Sequence, residues 1–178
     1  RPTPDRVRET LFNWLGQDLT GKRCLDLFAG SGALGLEAAS RGARSVRMLD
    51  ADAAVVRALR TSVETLHADC VRVERADALD FLRRPPQREE ERVDVVFLDP
   101  PYALKLTDRV LALLPPWLAS GARVYLETDV PYLPDVSHVS QVPDLTAPEA
   151  SRAPQPASWR VLRAGRAGQV CHHLLEFA

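Results

Sequence analysis

Asp99-Pro100-Pro101-Tyr102 follows the apolar run Val93-Asp94-Val95-Val96-Phe97-Leu98, and this order of residue types suits chemistry on a planar amine. A buried strand that ends in Asp aims one carboxylate out of the carboxyl edge of a sheet, where α/β proteins place their ligands. Each proline fixes φ at about −65° and lacks an N–H, so the turn is stiff and the Pro100 carbonyl is offered as a second acceptor beside Asp99. An exocyclic NH2 on a base or an amide carries two hydrogens and can satisfy both acceptors. The Tyr102 ring supplies a face on which the plane that carries the amine can stack. A Pro-Pro loop after an ordinary strand is the plainer alternative.

A second group of residues lies upstream. Arg23-Cys24-Leu25-Asp26-Leu27-Phe28 reads as a strand and runs into Ala29-Gly30-Ser31-Gly32-Ala33-Leu34-Gly35, a G-x-G-x-x-G that opens a helix. Its glycines let the backbone approach a ligand closely and let helix and strand pack tightly. The pattern serves NAD, FAD and S-adenosylmethionine alike, and it also occurs in purely structural turns. A further strand, Ser45-Val46-Arg47-Met48-Leu49, ends at Asp50, 20 residues beyond Gly30, which matches the acid expected on ribose hydroxyls. Asp52 competes for that role, and either acid could instead stand at the start of the next helix.

Together with the opening Arg1-Pro2-Thr3-Pro4-Asp5-Arg6-Val7-Arg8-Glu9-Thr10-Leu11-Phe12-Asn13-Trp14-Leu15, the stretch Leu25 to Ala38 and Asp99-Pro100-Pro101-Tyr102 resemble the RsmD family. The resemblance spans most of the chain, continuing through Ala76-Asp77-Ala78-Leu79-Asp80-Phe81-Leu82, Tyr125-Leu126-Glu127 and Ala167-Gly168-Gln169-Val170. The family comprises bacterial class I methyltransferases that modify the exocyclic amine of one guanine in 16S rRNA. What the resemblance implies is a Rossmann-like α/β fold: a mostly parallel, seven-stranded sheet with helices on both faces and a C-terminal edge hairpin. It implies S-adenosylmethionine as cofactor, 16S rRNA or the small ribosomal subunit as partner, and Asp99, Pro100, Pro101 and Tyr102 as the catalytic turn. Carried over residue by residue, the cofactor set is Thr3, Asp26, Phe28, Ala29, Gly30, Ser31, Gly32, Asp50, Ala51, Asp77 and Ala78, with Asp77 accepting from the adenine amine. Relatives usually carry a basic N-terminal extension before the position of Arg1; a chain without it would lose RNA affinity more than cofactor affinity.

At 178 residues and 46% hydrophobic, the chain suffices for one domain with a full core. Residues 1–20 read as an N-terminal helix, 21–130 as the cofactor and catalytic core, 131–158 as a mobile insertion and 159–178 as the hairpin. No run approaches the ~18 apolar residues of a membrane span and no signal-peptide pattern occurs, so the expectation is a cytoplasmic protein, taken as a monomer. Cys24, Cys70 and Cys171 have no metal-ligand spacing and read as buried thiols, and the four histidines form no metal motif. In an alternating last strand, one of His172 and His173 should face inward and the other outward.

A net charge of −1 weighs against an RNA enzyme, but distribution matters more. Arg1, Arg6 and Arg8 cluster at the start and Arg160, Arg163 and Arg166 near the end. Either group could meet phosphates or form a solvated face. The mixed-sign run Arg83 to Arg92 reads as a surface loop.

The remaining pattern alternates helix and strand. Thr3 can cap a helix with Pro4 in its first turn, and Val7, Leu11, Trp14 and Leu15 share one face. Helices are expected near 34–40, over 53–66 with an apolar stripe of Val56, Leu59, Val63 and Leu66, near 78–83, and over 104–114. Strands are expected at 71–74, 93–98, 122–127, 159–163 and 169–177. This alternation implies parallel pairing. Three chemistries remain open: RNA guanine methylation, methylation of DNA adenine or protein glutamine, and NAD-dependent dehydrogenation. Only one helix fits between Tyr102 and Ala122, too little for a DNA-reading module. Glutamine-directed relatives usually have Asn at the position of Asp99, and a dehydrogenase would leave the Asp99 turn without a role.

Overall fold

A computed structural model describes residues 5–133 and 158–178, apart from the side chains of Asp5 and Tyr102. Arg1, Thr3 and most of the 131–158 insertion lie outside that range. The described chain runs α1 (Asp5–Leu15), β1 (Arg23–Asp26), α2 (Ala33–Ser40), β2 (Ser45–Asp50), α3 (Ala53–Thr65), β3 (Val71–Arg75), α4 (Ala78–Leu82), β4 (Val93–Leu98), α5 (Thr107–Leu113), β5 (Leu118–Thr128), β6 (Trp159–Ala167) and β7 (Val170–Phe177). The strands form one sheet in the order β3-β2-β1-β4-β5-β7-β6. β1 to β5 pair in parallel, β7 is antiparallel to β5, and β6 closes the edge as its hairpin partner.

Apolar residues cover the sheet on both faces. Val7, Leu11 and Phe12 of α1, Leu34 and Ala38 of α2 and Leu59 of α3 pack on one face with Val46, Met48, Val95, Phe97 and Tyr125. Leu79 and Leu82 of α4 and Val110 and Leu111 of α5 pack on the other with Leu25, Val96, Leu98, Val124 and Leu126. Burial from both sides explains why β4 reads as an almost unbroken apolar run rather than an alternation.

The structure departs from the sequence expectation at element ends. β1 stops at Asp26, because Leu27 and Ala29 donate to Phe97 and Leu49 while the chain is already rising toward the glycine loop. α5 starts at Thr107, not Leu104: Tyr102–Leu104 form a 3-10 turn and Lys105 sits at φ +45°, which breaks the helical path. β5 begins at Leu118, and a bulge opposite Val93–Val95 absorbs the extra residues around Gly121. Leu66, expected in the apolar stripe, follows the last turn of α3 and is 61% exposed.

The histidine pair also differs from expectation, since both rings are buried. They do point to opposite faces, but β7 lies between β5 and β6 and both of its faces are covered. His172 packs against Trp14 with ring centroids 5.2 Å apart, and His173 Nε2 accepts the Tyr132 N–H at 3.1 Å. Burial holds both imidazoles below the usual histidine range. Gly165 pairs with His172 across the hairpin, and a Cβ there would collide with the imidazole.

Gly165→Ala should therefore cost roughly 1–3 kcal/mol through overpacking. Denaturant unfolding should show the loss, and adding His172→Ala should recover most of it. An equal loss in both backgrounds would place the strain elsewhere.

Candidate active site

The site is built from strand ends. Asp26 pairs in register with Met48 on β2 and with Phe97 on β4, and Phe97 pairs with Tyr125 on β5. Side chains alternate along a strand, so Asp50, Asp99 and Glu127, each two residues further on, project from the same face one level higher. With Asp77 at the start of α4, these acids line a cleft of about 830 Å3. Among its described lining residues there is no Lys, Arg or His. Phe28, Ala29, Gly30 and Ser31 border one side with Ala51 and Ala78, while Pro100, Pro101 and the hairpin turn Ala167 to Val170 border the other.

Backbone geometry holds the acids in place. Asp50 accepts the Gly30 N–H at 3.1 Å and the Asp52 N–H at 2.9 Å, which ties the glycine loop to the end of β2. Asp52 caps α3 instead, accepting from Ala54 at 2.6 Å and Val55 at 3.4 Å, and it does not line the cleft. Asp77 caps α4 by accepting the Asp80 N–H at 3.0 Å. Gly32 lies beneath the cleft at φ +81°, where a Cβ would stand 2.6 Å from Leu59 Cδ2 and 2.8 Å from Met48 Cε. Gly32 packs against these side chains and is not among the residues that border the cleft.

Burial pushes the Asp26 carboxyl up to about 7; N–H groups of Phe28 and Gly35 oppose that rise, and the charges of Asp99 and Asp50 add to it. Asp99 is likewise pushed up to about 7, first by burial and then by Glu127. Carboxylates crowded in this way favour a cationic ligand, which would relieve both the burial and the mutual repulsion.

Of the residues expected at the site, Asp26, Phe28, Ala29, Gly30, Ser31, Asp50, Ala51, Asp77, Ala78, Asp99, Pro100 and Pro101 come together in this cleft. Thr3 and the Tyr102 side chain lie outside the described residues. Glu127 and Gln169 border the cleft without having been expected there. For Glu127 a signal existed, since it ends a buried strand as Asp99 does. The arginines are elsewhere: Arg160 pairs with Glu176, which also holds Arg123 at 2.6 Å, and Arg166 Nε donates to the Gly168 carbonyl at 2.8 Å. A bulge between Val161 and Arg163 puts Arg160 and Arg163 on one face of the hairpin and Arg166 on the other. Arg6 is exposed on α1, and Arg1 is outside the described residues. A second cavity of about 710 Å3 lies at the opposite, amino-terminal ends of β1, β2 and β4. Its charges are mixed in sign and include the pair Arg47–Glu74 at 3.0 Å, while its Arg23 pairs with Asp94 at 3.1 Å.

The chain matches the family model described as Conserved hypothetical protein 95 over residues 1–144. It is 39% identical to Ribosomal RNA small subunit methyltransferase D of Escherichia coli (strain K12), over 99% of this chain and 79% of that protein. The solved structure of Escherichia coli yhhF superposes with a TM-score of 0.76 at 37% identity, covering 98% of this chain and 87% of the other. An RNA methyltransferase from Salinibacter ruber in complex with S-adenosyl-L-homocysteine shares the fold at 17% identity, with a TM-score of 0.62 over 98% and 91% of the two chains. The fold, with its cleft at the carboxyl ends of the parallel strands, is that of the class I S-adenosylmethionine-dependent methyltransferases. Within that class, this chain belongs to the RsmD family.

The raised Asp26 value has a stability consequence. Its unfolded carboxyl titrates at 3.8 and its folded one at about 7, so between those values the folded state holds a proton that the unfolded chain has released. The stability this group contributes is complete below the unfolded value and lost as pH rises through the folded one. Asp26→Asn removes the titration, so the thermal midpoint of ligand-free protein should fall less steeply from about pH 5 to about pH 8 in the variant than in the wild type. Parallel pH profiles would show that Asp26 is not the titrating group.

Proposed function

We propose that this protein transfers a methyl group from S-adenosylmethionine to the N2 amine of a guanine in 16S rRNA, with the base flipped out of its stack into the Pro100 side of the cleft. The observation that carries this reading is a single cleft that joins a glycine-bordered, acidic half to the Asp99-Pro100-Pro101 turn and contains five carboxylates and no cation among its described lining residues. A dinucleotide would bring an anionic pyrophosphate into that field, so the same charges oppose the dehydrogenase reading. The RNA target is supported by the relative from Escherichia coli, named as a small-subunit rRNA methyltransferase. The chain between Pro101 and β5 holds only the short 3-10 turns and α5, with no module to read a DNA groove.

When bound, S-adenosylmethionine supplies an electrophilic methyl on a positively charged sulfur. Asp50, oriented by the N–H groups of Gly30 and Asp52, has lone pairs left for ribose hydroxyls. Asp77 would accept from the adenine amine. Asp26 and Asp99 would put negative charge near the sulfonium. On the substrate side, Asp99 and the Pro100 carbonyl each accept one hydrogen of the guanine amine. Its lone pair is otherwise delocalised into the ring, and this pairing favours a more tetrahedral nitrogen aimed at the methyl. Forming the N–C bond as the sulfur–methyl bond breaks, with the neutral thioether S-adenosylhomocysteine leaving, would move positive charge from sulfur onto nitrogen, where the fixed Asp99 carboxylate would stabilise it without solvent reorganisation. Asp99, which already accepts a hydrogen bond from that amine, would also take the proton that the nitrogen then releases. Flipping the base costs a few kcal/mol, and stacking on Tyr102 returns roughly 1–3 kcal/mol of it.

Incubating unmodified 16S rRNA and small-subunit particles with methyl-labelled S-adenosylmethionine, then mapping the label, tests the reading directly. Label on a guanine N2 is the expected result; label confined to another base or to protein rejects it. Asp50→Ala should weaken S-adenosylhomocysteine binding by calorimetry about ten- to a hundredfold, the value of a charge-assisted hydrogen bond. Unchanged affinity in a folded variant would remove Asp50 from the cofactor set. For Asp99, Asn keeps an acceptor and loses the charge while Ala loses both, so single-turnover rates at saturating cofactor should fall in the order Asp, Asn, Ala. Equal rates for Asn and Ala would mean that the acceptor alone contributes nothing.

A further inference from the structure

Glu127 is a buried acid for which the methyl transfer above has no use. It ends β5 as Asp99 ends β4, and the parallel register Phe97↔Tyr125 and Leu98↔Leu126 makes the two acids the next residues on neighbouring strands. Neighbouring strands run about 4.8 Å apart, and alternation puts both side chains on the same face. Both line the cleft. Glu127 is 3% exposed, and the hydroxyl of the fully buried Tyr125 donates to its Oε1 at 2.8 Å. Its charge also bears on Asp99, whose carboxyl it helps to push up. The fold aims Glu127 with a buried tyrosine.

We propose that Glu127 accepts the ring N1–H of the target base and so selects guanine among the amine-bearing bases. The inference rests on the reading of the cleft as a base-amine methylation site. Two acceptors side by side match a base edge that offers two adjacent donors, and guanine has one, the N2 amine beside N1–H. The ring nitrogen adjacent to the amine is a bare acceptor in both adenine, at N1, and cytosine, at N3. Either base would set a lone pair against the Glu127 carboxylate, so the same group attracts the right base and repels the wrong ones. Tyr125 is a positioning residue that holds Glu127 in line with Asp99.

The test replaces the target guanosine, once mapped, by 2-aminopurine, which keeps the 2-amine but has a bare N1 and no O6. Single-turnover methyl transfer is measured on the two RNAs with wild type, Glu127→Gln and Tyr125→Phe, alongside S-adenosylhomocysteine affinity as a check on the fold. The O6 loss is common to every enzyme, so the change in the guanine to 2-aminopurine rate ratio between enzymes reports on N1. Wild type should favour guanine about ten- to a hundredfold. In Glu127→Gln the amide can donate to a bare N1, so the ratio should fall about tenfold or more, with the 2-aminopurine rate rising in absolute terms. Tyr125→Phe should lower the ratio less, and it carries the test if Glu127→Gln does not fold. An unchanged ratio in the folded variants, or equal loss on both RNAs, overturns the role of Glu127 and leaves the methylation reading intact. A wild type that methylates no guanosine overturns that reading and this inference together.

Discussion

Crowding of carboxylates at the carboxyl edge of one sheet face is the constraint on which the rest of the structure turns. Asp26, Asp50, Asp99 and Glu127 stand on four neighbouring strands, and no cation lines the cleft among the described residues. Such an arrangement opposes folding, as the raised values of Asp26 and Asp99 indicate. The fold offsets part of it with backbone N–H groups: those of Phe28 and Gly35 at Asp26, and those of Gly30 and Asp52 at Asp50. The remaining negative charge suits a cationic cofactor, so binding strength and the electrostatic cost of the site have one origin.

The glycine loop follows from the same demand. Asp26 must be buried at the root of the cleft, yet α2 must begin immediately above it. Gly32 and Gly35 permit this because a side chain at either would run into Met48, and at Gly32 into Leu59 as well. The helix can then press its first turn onto β1 and β2, and Gly30 is left exposed at the rim with its N–H tied to Asp50. Packing below and ligand approach above are two uses of one tight turn.

The C-terminal hairpin completes the substrate side. β7 joins β5 antiparallel, with Thr128 opposite Cys171, so the turn from Ala167 to Val170 ends up beside Glu127 and the proline turn. Burying His172 and His173 on opposite faces anchors the hairpin to α1 through Trp14 on one side and to Tyr132 on the other. The price of that anchoring is a Gly at position 165, opposite the His172 ring.

Much of this was legible in the residues. The order of strands and helices, the edge hairpin, the glycine loop, Asp50 and Asp99 follow from hydrophobic period, turn residues and spacing, because these are local consequences of backbone geometry, whereas Asp26 and Asp77 came from the family resemblance. Element ends were less legible: α5 starts late because Lys105 adopts a left-handed conformation that no apolar pattern encodes. Only the tertiary structure separated Asp50 from Asp52, two acids that look alike in sequence, since one reaches the cleft and the other turns back to cap α3. The same holds for Gly32, whose loop position suggests ligand contact while its surroundings are all side chains of the core. The burial of both histidines required knowing that Trp14 of α1 and Tyr132 would cover the two faces of β7, contacts between segments far apart in the chain. Glu127 came to line the cleft for a similar reason: its place beside Asp99 is set by the register of two strands separated by a helix, and register between distant strands is decided by packing rather than by either strand alone.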